Sequence, residues 1–563
     1  MFFFKLFKFP FCLAQLWATE TARKREMERP LMFLVFLFFL SPQIQASLSH
    51  LTRDHFPPAF LFGAGTSSLQ AGTSLSLTHT HCTHLEFSHF DSLSLVQVEG
   101  AAQEDGKKPS IEETFPDGIR GSDKLKVAAD QYHKYKEDVK LMHEMGLDAY
   151  RFSIAWSRLI PDGRGAVNPL GLKYYNSLLD ELHSHGIAAH VTLYHFDLPQ
   201  SLQDEYGGWV DRRIIEDFTA YAEVCFREFG DRVVAWSTFN EPNFFTLAGY
   251  DVGLAAPYRC SIPSFFNCSE GNSSVDGYLT AHNVLLSHAN AVQLYRERYQ
   301  PKQGGSIGLS LMSPWFLPAT NSSKDVAATQ RVVDFQFGWF MDPLVHGDYP
   351  LIMRRIVGSR LPTFGEKESK LLKSSIDFIG LNHYTIFYVH DDLGNWDMNQ
   401  TDYITDVHAR VSFPGVSPFE EKGEQESFPS AMSDLLEYFK QSYKDVTIFI
   451  HENGLALPHG NTPPSLESGD DDPRVQYLQG YLDALLTSIR NGSNVEGYFV
   501  WSFVDCFEFA AGKAFGLYYV DFEDSNFERY PTPSSIWYSN FLHGKEGSKV
   551  KRHVYQTELS SYI

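Results

Sequence analysis

Two glutamates stand where a carboxyl is hardest to keep, because each closes an otherwise apolar run. Glu241 follows "AWSTFN" and Glu452 follows "VTIFIH". A carboxylate there is poorly solvated, so it needs either a partner, such as an arginine inside the fold, or a chemical task. Two such groups can divide the work of acid–base and nucleophilic catalysis when their surroundings push their pKa values apart. A second constellation, "THTHCTH" from Thr78 to His84, places three histidines and a cysteine within seven residues. Imidazole and thiolate are the usual ligands of zinc and copper. The spacing nevertheless fits no standard structural zinc pattern.

The elements that must position the two glutamates follow from the period of the apolar residues. "FLFGAGTSSLQ", "DAYRFSIAW", "AAHVTLYHF", "RVVAWSTFN", "GSIGLSLM", "IDFIGLN", "VTIFIHEN" and "EGYFVWSF" are short runs rich in β-branched and aromatic residues, the pattern of strands buried on both faces. Helical spacing separates them: Tyr132, Tyr135, Val139 and Met142 precede Gly146, and Tyr175, Leu178, Leu179 and Leu182 precede Gly186. Ile214, Phe218, Tyr221 and Cys225 form a third stripe. Eight strands alternating with helices predict an α/β fold, a single (β/α)8 TIM barrel, in which chemistry gathers at the C-terminal ends of the strands.

Composition bounds the partners. The 563-residue chain is 43% hydrophobic and 15% aromatic with a net charge of −22, so no nucleic-acid partner is expected, since phosphate binding requires a basic face. Residues 27–46 have the layout of a signal peptide: Arg29, an apolar run from Leu31 to Leu40, and a small residue at Ala46. The run is too short to span a bilayer, and no membrane association is expected after its removal. Residues 1–26 read as an upstream extension. Sequons at Asn267, Asn272, Asn321, Asn399 and Asn491 are potential glycan acceptors, and Cys260 and Cys268 flank a short loop that a disulfide can close. Localisation in the secretory pathway, at the cell exterior (apoplast) or in the vacuole, is the resulting expectation.

"TFNEPN" (238–243), "HENG" (451–454), "YHFDLPQ" (194–200), "GLNHYT" (380–385) and "WSFVDCFE" (501–508) occur in that order, and the chain from Phe56 to Leu542 resembles family 1 glycoside hydrolases, especially plant β-glucosidases. The resemblance implies a retaining β-glucosidase acting by double displacement on terminal β-D-glucosides of plant small molecules or short oligosaccharides, without a cofactor. Glu241 would be the acid/base and Glu452 the nucleophile, with carboxyls roughly 5 to 5.5 Å apart. Gln70, His195, Asn240 and Glu508 would bind glycone hydroxyls, and Tyr384 would orient Glu452. Trp501 would form the pocket floor, beside Phe509 and Phe515. Arg151 would favour the ionised form of Glu452. The aglycone would be held by loops 243–258 and 411–425. Two alternatives remain: a transglucosidase that passes the glycosyl-enzyme to an acceptor other than water, and a catalytically weak sugar-binding barrel.

Several positions depart from the family's pattern. Glu112 and Glu113 replace an aromatic and an aspartate, and the loop before Phe515 is short. The largest departure is residues 71–97, which separate Gln70 from "VEG" at 98–100; removing them restores the family's motif. This 27-residue segment contains "THTHCTH" and reads as translated intron, a non-native insertion with no metal role, expected to loosen the register of Glu99 and Gly100. The barrel domain is thus 47–545, followed by a tail, 546–563. At 509, phenylalanine stands where tryptophan is common, keeping the ring but losing the indole donor. Phe509→Trp is expected to lower KM or to shift the glucoside-to-fucoside preference several-fold, since one neutral hydrogen bond contributes about 0.5–1.5 kcal/mol; unchanged values would place the residue outside the pocket.

Overall fold

In the computed structural model, the described residues are 51–68, 98–114, 128–262, 268–392, 401–414, 426–458, 460, 462–467, 469, 472–506 and 513–544. Their core is a closed parallel barrel of β1 (Leu61–Gly65), β2 (Ala149–Ser153), β3 (Ala188–Tyr194), β4 (Val233–Asn240), β5 (Ser306–Met312), β6 (Phe378–Asn382), β7 (Thr447–Asn453) and β8 (Val495–Trp501). Consecutive strands are neighbours, and β1 closes the ring on β8, with Leu61 opposite Gly497 and Gly65 opposite Trp501. All eight strand segments read from the sequence are in this barrel.

Helices cover the outside, and their ends are written locally. Gln131–Met145 stops at Gly146, whose φ of +89° is open to glycine without strain. Asn168, Asp472 and Thr532 each precede a proline, and each side chain accepts a backbone N–H from the first turn of the helix that follows. Such caps are worth about 1 kcal/mol each.

The barrel interior is apolar at one end and polar at the other. Ala149, Ala235, Phe378, Phe449 and Phe499 pack into a buried plug supported by Leu61 and Ala188. Above it His451 pairs with Ser310 (2.7 Å), which contacts Ser237 (3.0 Å). Gly380 makes room for this pair, since a Cβ there would fall 2.4 Å from the His451 ring. His190 and His451 sit among the phenylalanine rings, and burial pushes the His190 imidazole down to about 3 and His451 well below its ordinary value. Both stay neutral at physiological pH.

Residues 71–97, including the "THTHCTH" stretch, lie outside the described residues, but both flanks are anchored. Ser68 donates its N–H to Ser153 Oγ (2.7 Å) on β2. Beyond the segment, the carbonyls of Val98 and Glu99 accept N–H groups of Gln131 and Tyr132 at the start of the first outer helix (3.2 and 2.8 Å). Glu99 is buried between Arg158, which bonds its carboxylate, and Tyr175 Oη (2.7 Å), while Arg158 also donates to the carbonyls of Gly100 and Ala101. The expected loosening of Glu99 and Gly100 is therefore not observed: a buried ion pair with four further hydrogen bonds fixes their register. Because a long loop closes at modest entropic cost, deleting residues 71–97 is expected to leave the melting temperature unchanged or raise it by up to about 5 °C, with no stoichiometric zinc in the full-length protein. A lowered melting temperature or bound zinc would show that the segment is structural.

Candidate active site

The C-terminal ends of β2, β4, β6 and β7 bring one hydrogen-bonded network together. Arg151, fully buried on β2, donates from Nη1 to Glu452 Oε1 (2.6 Å) and from Nη2 to Asn240 Oδ1 (2.6 Å). Tyr384 Oη donates to Glu452 Oε2 (2.7 Å). Asn382 Nδ2 donates both to Asn240 Oδ1 (3.0 Å) and to Glu241 Oε1 (2.9 Å). A continuous path thus links the two glutamates: Glu452, Arg151, Asn240, Asn382, Glu241.

Local backbone geometry sets the aim of each carboxyl. Glu452 lies within β7, opposite Asn382 of β6, and its carbonyl accepts the N–H of His383 (2.9 Å). Its side chain alternates into the barrel as β7 dictates. Glu241 instead lies one residue beyond β4, with φ +45° and ψ +52°, and caps the short helix Pro242–Leu247. Phe196, just beyond β3, has φ +70°. Left-handed backbone at non-glycine residues costs of order 1 kcal/mol or more and gathers at functional sites. After β7, Gly454 is required because a Cβ there would fall 1.9 Å from the Trp501 carbonyl oxygen.

The other expected residues are placed as follows. His195 Nε2 is 3.2 Å from Asn240 Nδ2, and its ring stacks against Trp501 at 6.2 Å and 16°. Burial first, and Arg151 second, hold His195 well below its ordinary pKa, so it is a neutral donor–acceptor. Phe515 packs edge-on against Tyr384 with centroids 5.8 Å apart. Gln70, Glu508 and Phe509 lie outside the described residues, as do Asn267 and Asn399. Asn272, Asn321 and Asn491 are exposed, and Cys260 and Cys268 are joined by a disulfide with Cα atoms 5.7 Å apart. Among the described residues no group of histidine, cysteine and carboxylate side chains is arranged to hold a metal.

Asn382 is the residue that sequence reading missed, although its signal was present: it is the polar residue closing the apolar run "IDFIGL", as Asn240 and Glu241 close theirs.

Paired carboxyls at the polar end of a (β/α)8 barrel, one held by an arginine and a tyrosine and the other by an asparagine, define the class as an O-glycosyl hydrolase. The family model for glycosyl hydrolase family 1 matches residues 83–547. The chain belongs to that family, in the company of plant β-glucosidases. It is 47% identical over 518 residues to rice β-glucosidase 22, covering 89% of this chain and 90% of that protein. It is equally 47% identical over 500 residues to a Delphinium grandiflorum cyanidin 3-O-glucoside 7-O-glucosyltransferase (acyl-glucose), covering 88% and 91%. Among solved structures, a rice Os3BGlu6 β-glucosidase mutant in a covalent complex with glucose matches with TM-score 0.77 and 39% identity, covering 87% of this chain and 99% of that one.

Asn382→Ala would leave Glu241 Oε1 and Asn240 Oδ1 short of a donor. It is expected to lower kcat/KM on 4-nitrophenyl β-glucoside ten- to a hundredfold, about 1.4–2.7 kcal/mol, with the far-UV spectrum retained. Wild-type activity in this variant would remove Asn382 from the site.

Proposed function

We propose that the protein is a retaining β-glucosidase that cleaves terminal β-D-glucosides of plant small molecules or short oligosaccharides by double displacement. The observation that carries this reading is the unequal setting of the two carboxyls. Glu452 is held in the strand by two donors, the Arg151 guanidinium and the Tyr384 hydroxyl, which fix both its oxygens. That is the setting of a nucleophile. Glu241 receives the neutral amide of Asn382 and sits in a loop rather than in the strand, where it can protonate a departing oxygen.

In the first step Glu452 attacks the anomeric carbon while Glu241 gives its proton to the glycosidic oxygen, so the aglycone leaves and a glycosyl-enzyme forms. In the second, Glu241 takes a proton from water, which displaces Glu452 and releases the sugar with its configuration retained. Asn240, fixed by Arg151, and the neutral His195 supply hydrogen bonds to the glycone, and Trp501 offers a flat face to the ring. The covalent glucose complex of the rice relative supports such an intermediate.

The Delphinium relative favours a second reading on the same site, in which an acceptor alcohol replaces water in the second step. For cellular location, the disulfide between Cys260 and Cys268 and the exposed sequons support passage through the secretory pathway.

Glu452→Ala is expected to abolish turnover of every glucoside, whereas Glu241→Ala should spare substrates with good leaving groups far more than alkyl glucosides, because an activated aglycone needs little protonation. NMR of the first product should show retained anomeric configuration. Inversion, or equal damage by Glu241→Ala across leaving groups, would overturn the assignment.

A further inference from the structure

Glu112 is a buried ionisable side chain that catalysis leaves without a task. It stands where the family's pattern has an aromatic, it is 1% exposed, and its Oε2 has no hydrogen-bond partner. Its carboxyl also faces the backbone N–H of Ala256. An unpartnered buried carboxylate is costly, several kcal/mol more so than the neutral acid.

The backbone fixes what lies opposite. Ser110 and Pro199 form an antiparallel bridge, Ile111 N–H donates to the Leu198 carbonyl (2.8 Å), and Gln200 N–H donates to the Pro109 carbonyl (3.1 Å). This ladder sets Glu112 beside Asp197, itself 2% exposed. Asp197 accepts the backbone N–H of His195 (3.2 Å) through Oδ1 and that of Trp156 (3.1 Å) through Oδ2. On its other side, Glu112 touches Ala256, in a loop that folds back on the Ala248 carbonyl through the N–H groups of Leu254 and Ala255. That loop continues the chain that begins at Glu241. Glu112 thus lies between the turn that carries His195, to which its own backbone neighbours are bonded, and the segment that leaves Glu241.

We propose that Glu112 is a positioning residue for the sugar site: as a neutral acid it wedges between the loops after β3 and β4, and its deprotonation beside Asp197 forces them apart and displaces His195. The proposal rests on His195 lining the glycone pocket.

The facing groups support this polarity. Asp197 has more backbone donors and therefore takes the charge first, while Glu112 keeps its proton. Tyr194 of β3 and Tyr250 and Tyr258 of the loop after β4 are the other titratable neighbours, and all remain protonated phenols. Lys107 faces Asp197 but is spent on Glu113 (2.6 Å), and Arg259, which faces Tyr250, is spent on Asp276 and Glu270. Burial, with Asp197 a smaller contributor, pushes Glu112 up to about 8, and burial pushes Asp197 up to about 7. Between Glu112's ordinary value of 4.5 and about 8, the unfolded chain has lost the proton that the folded protein keeps, so stability falls as pH rises through that window.

The test compares wild type with Glu112→Gln, which has nearly the same shape and never ionises. Melting temperature and the competitive inhibition constant for glucose are measured from pH 4.5 to 8.5. The variant's advantage in melting temperature is expected to grow from near zero at pH 4.5 to about 3–5 °C at pH 8.5, and wild-type glucose binding should weaken about three- to tenfold more than the variant's between pH 5.5 and 8.5. A stability gain with parallel glucose curves would make Glu112 an inert buried acid and overturn the positioning role, as would parallel curves in both measurements. If glucose does not inhibit wild type at any pH, the pocket assignment itself fails, a different result from either. Should the amide variant fold poorly, Glu112→Met supplies the same comparison.

Discussion

The guanidinium of Arg151 is the group on which the site depends. Buried at the polar end of the barrel, it divides its donors between Glu452 and Asn240. A lone carboxylate at that depth would take up a proton rather than stay ionised. Paired with Arg151 and bonded by Tyr384, Glu452 meets the requirement that a buried charge be both neutralised and hydrogen-bonded. The same guanidinium fixes the amide orientation of Asn240: Oδ1 faces two donors, Arg151 and Asn382, which turns Nδ2 toward His195. Removing Arg151 would take from Glu452 on β7 and Asn240 on β4 the donor they share.

The barrel supports this network by segregating its interior. Phenylalanines and alanines fill one end, so the strands are held by packing that is indifferent to the chemistry above. The polar residues then stand on a floor that excludes water from below. Buried histidines next to that floor stay neutral, which avoids adding positive charges beside Arg151. Within the site, left-handed backbone falls in the turns after β3 and β4, at Phe196 and Glu241, and hydrogen bonds on either side hold them there.

Two departures from the family's pattern are absorbed in different ways. The long segment after Gln70 enters between two anchored points, and the buried Glu99–Arg158 pair secures the chain where it resumes. Glu112 is absorbed differently: it is packed into the interior without a full set of partners, next to a second acid. Such a group reports on pH because burial, and not an opposing charge, sets its proton affinity.

The eight strands, three of the helices between them and the stop at Gly146 were legible in the sequence, because apolar period and helix-stop chemistry are local and survive without neighbours. So were Glu241 and Glu452, since a charged residue ending an apolar run is conspicuous wherever it packs. The sequence could not show that Asn382 joins the two carboxyls, because its meaning lies in β6 standing beside β5 and β7 in the closed ring. Nor could it show that Glu99 is clamped by Arg158 and Tyr175, or that Glu112 faces Asp197, since those partners are 59, 76 and 85 residues away along the chain. Residue type and spacing decide which groups are available for chemistry; barrel closure decides which of them share a proton, a charge or a hydrogen bond, because those interactions act only over a few ångströms.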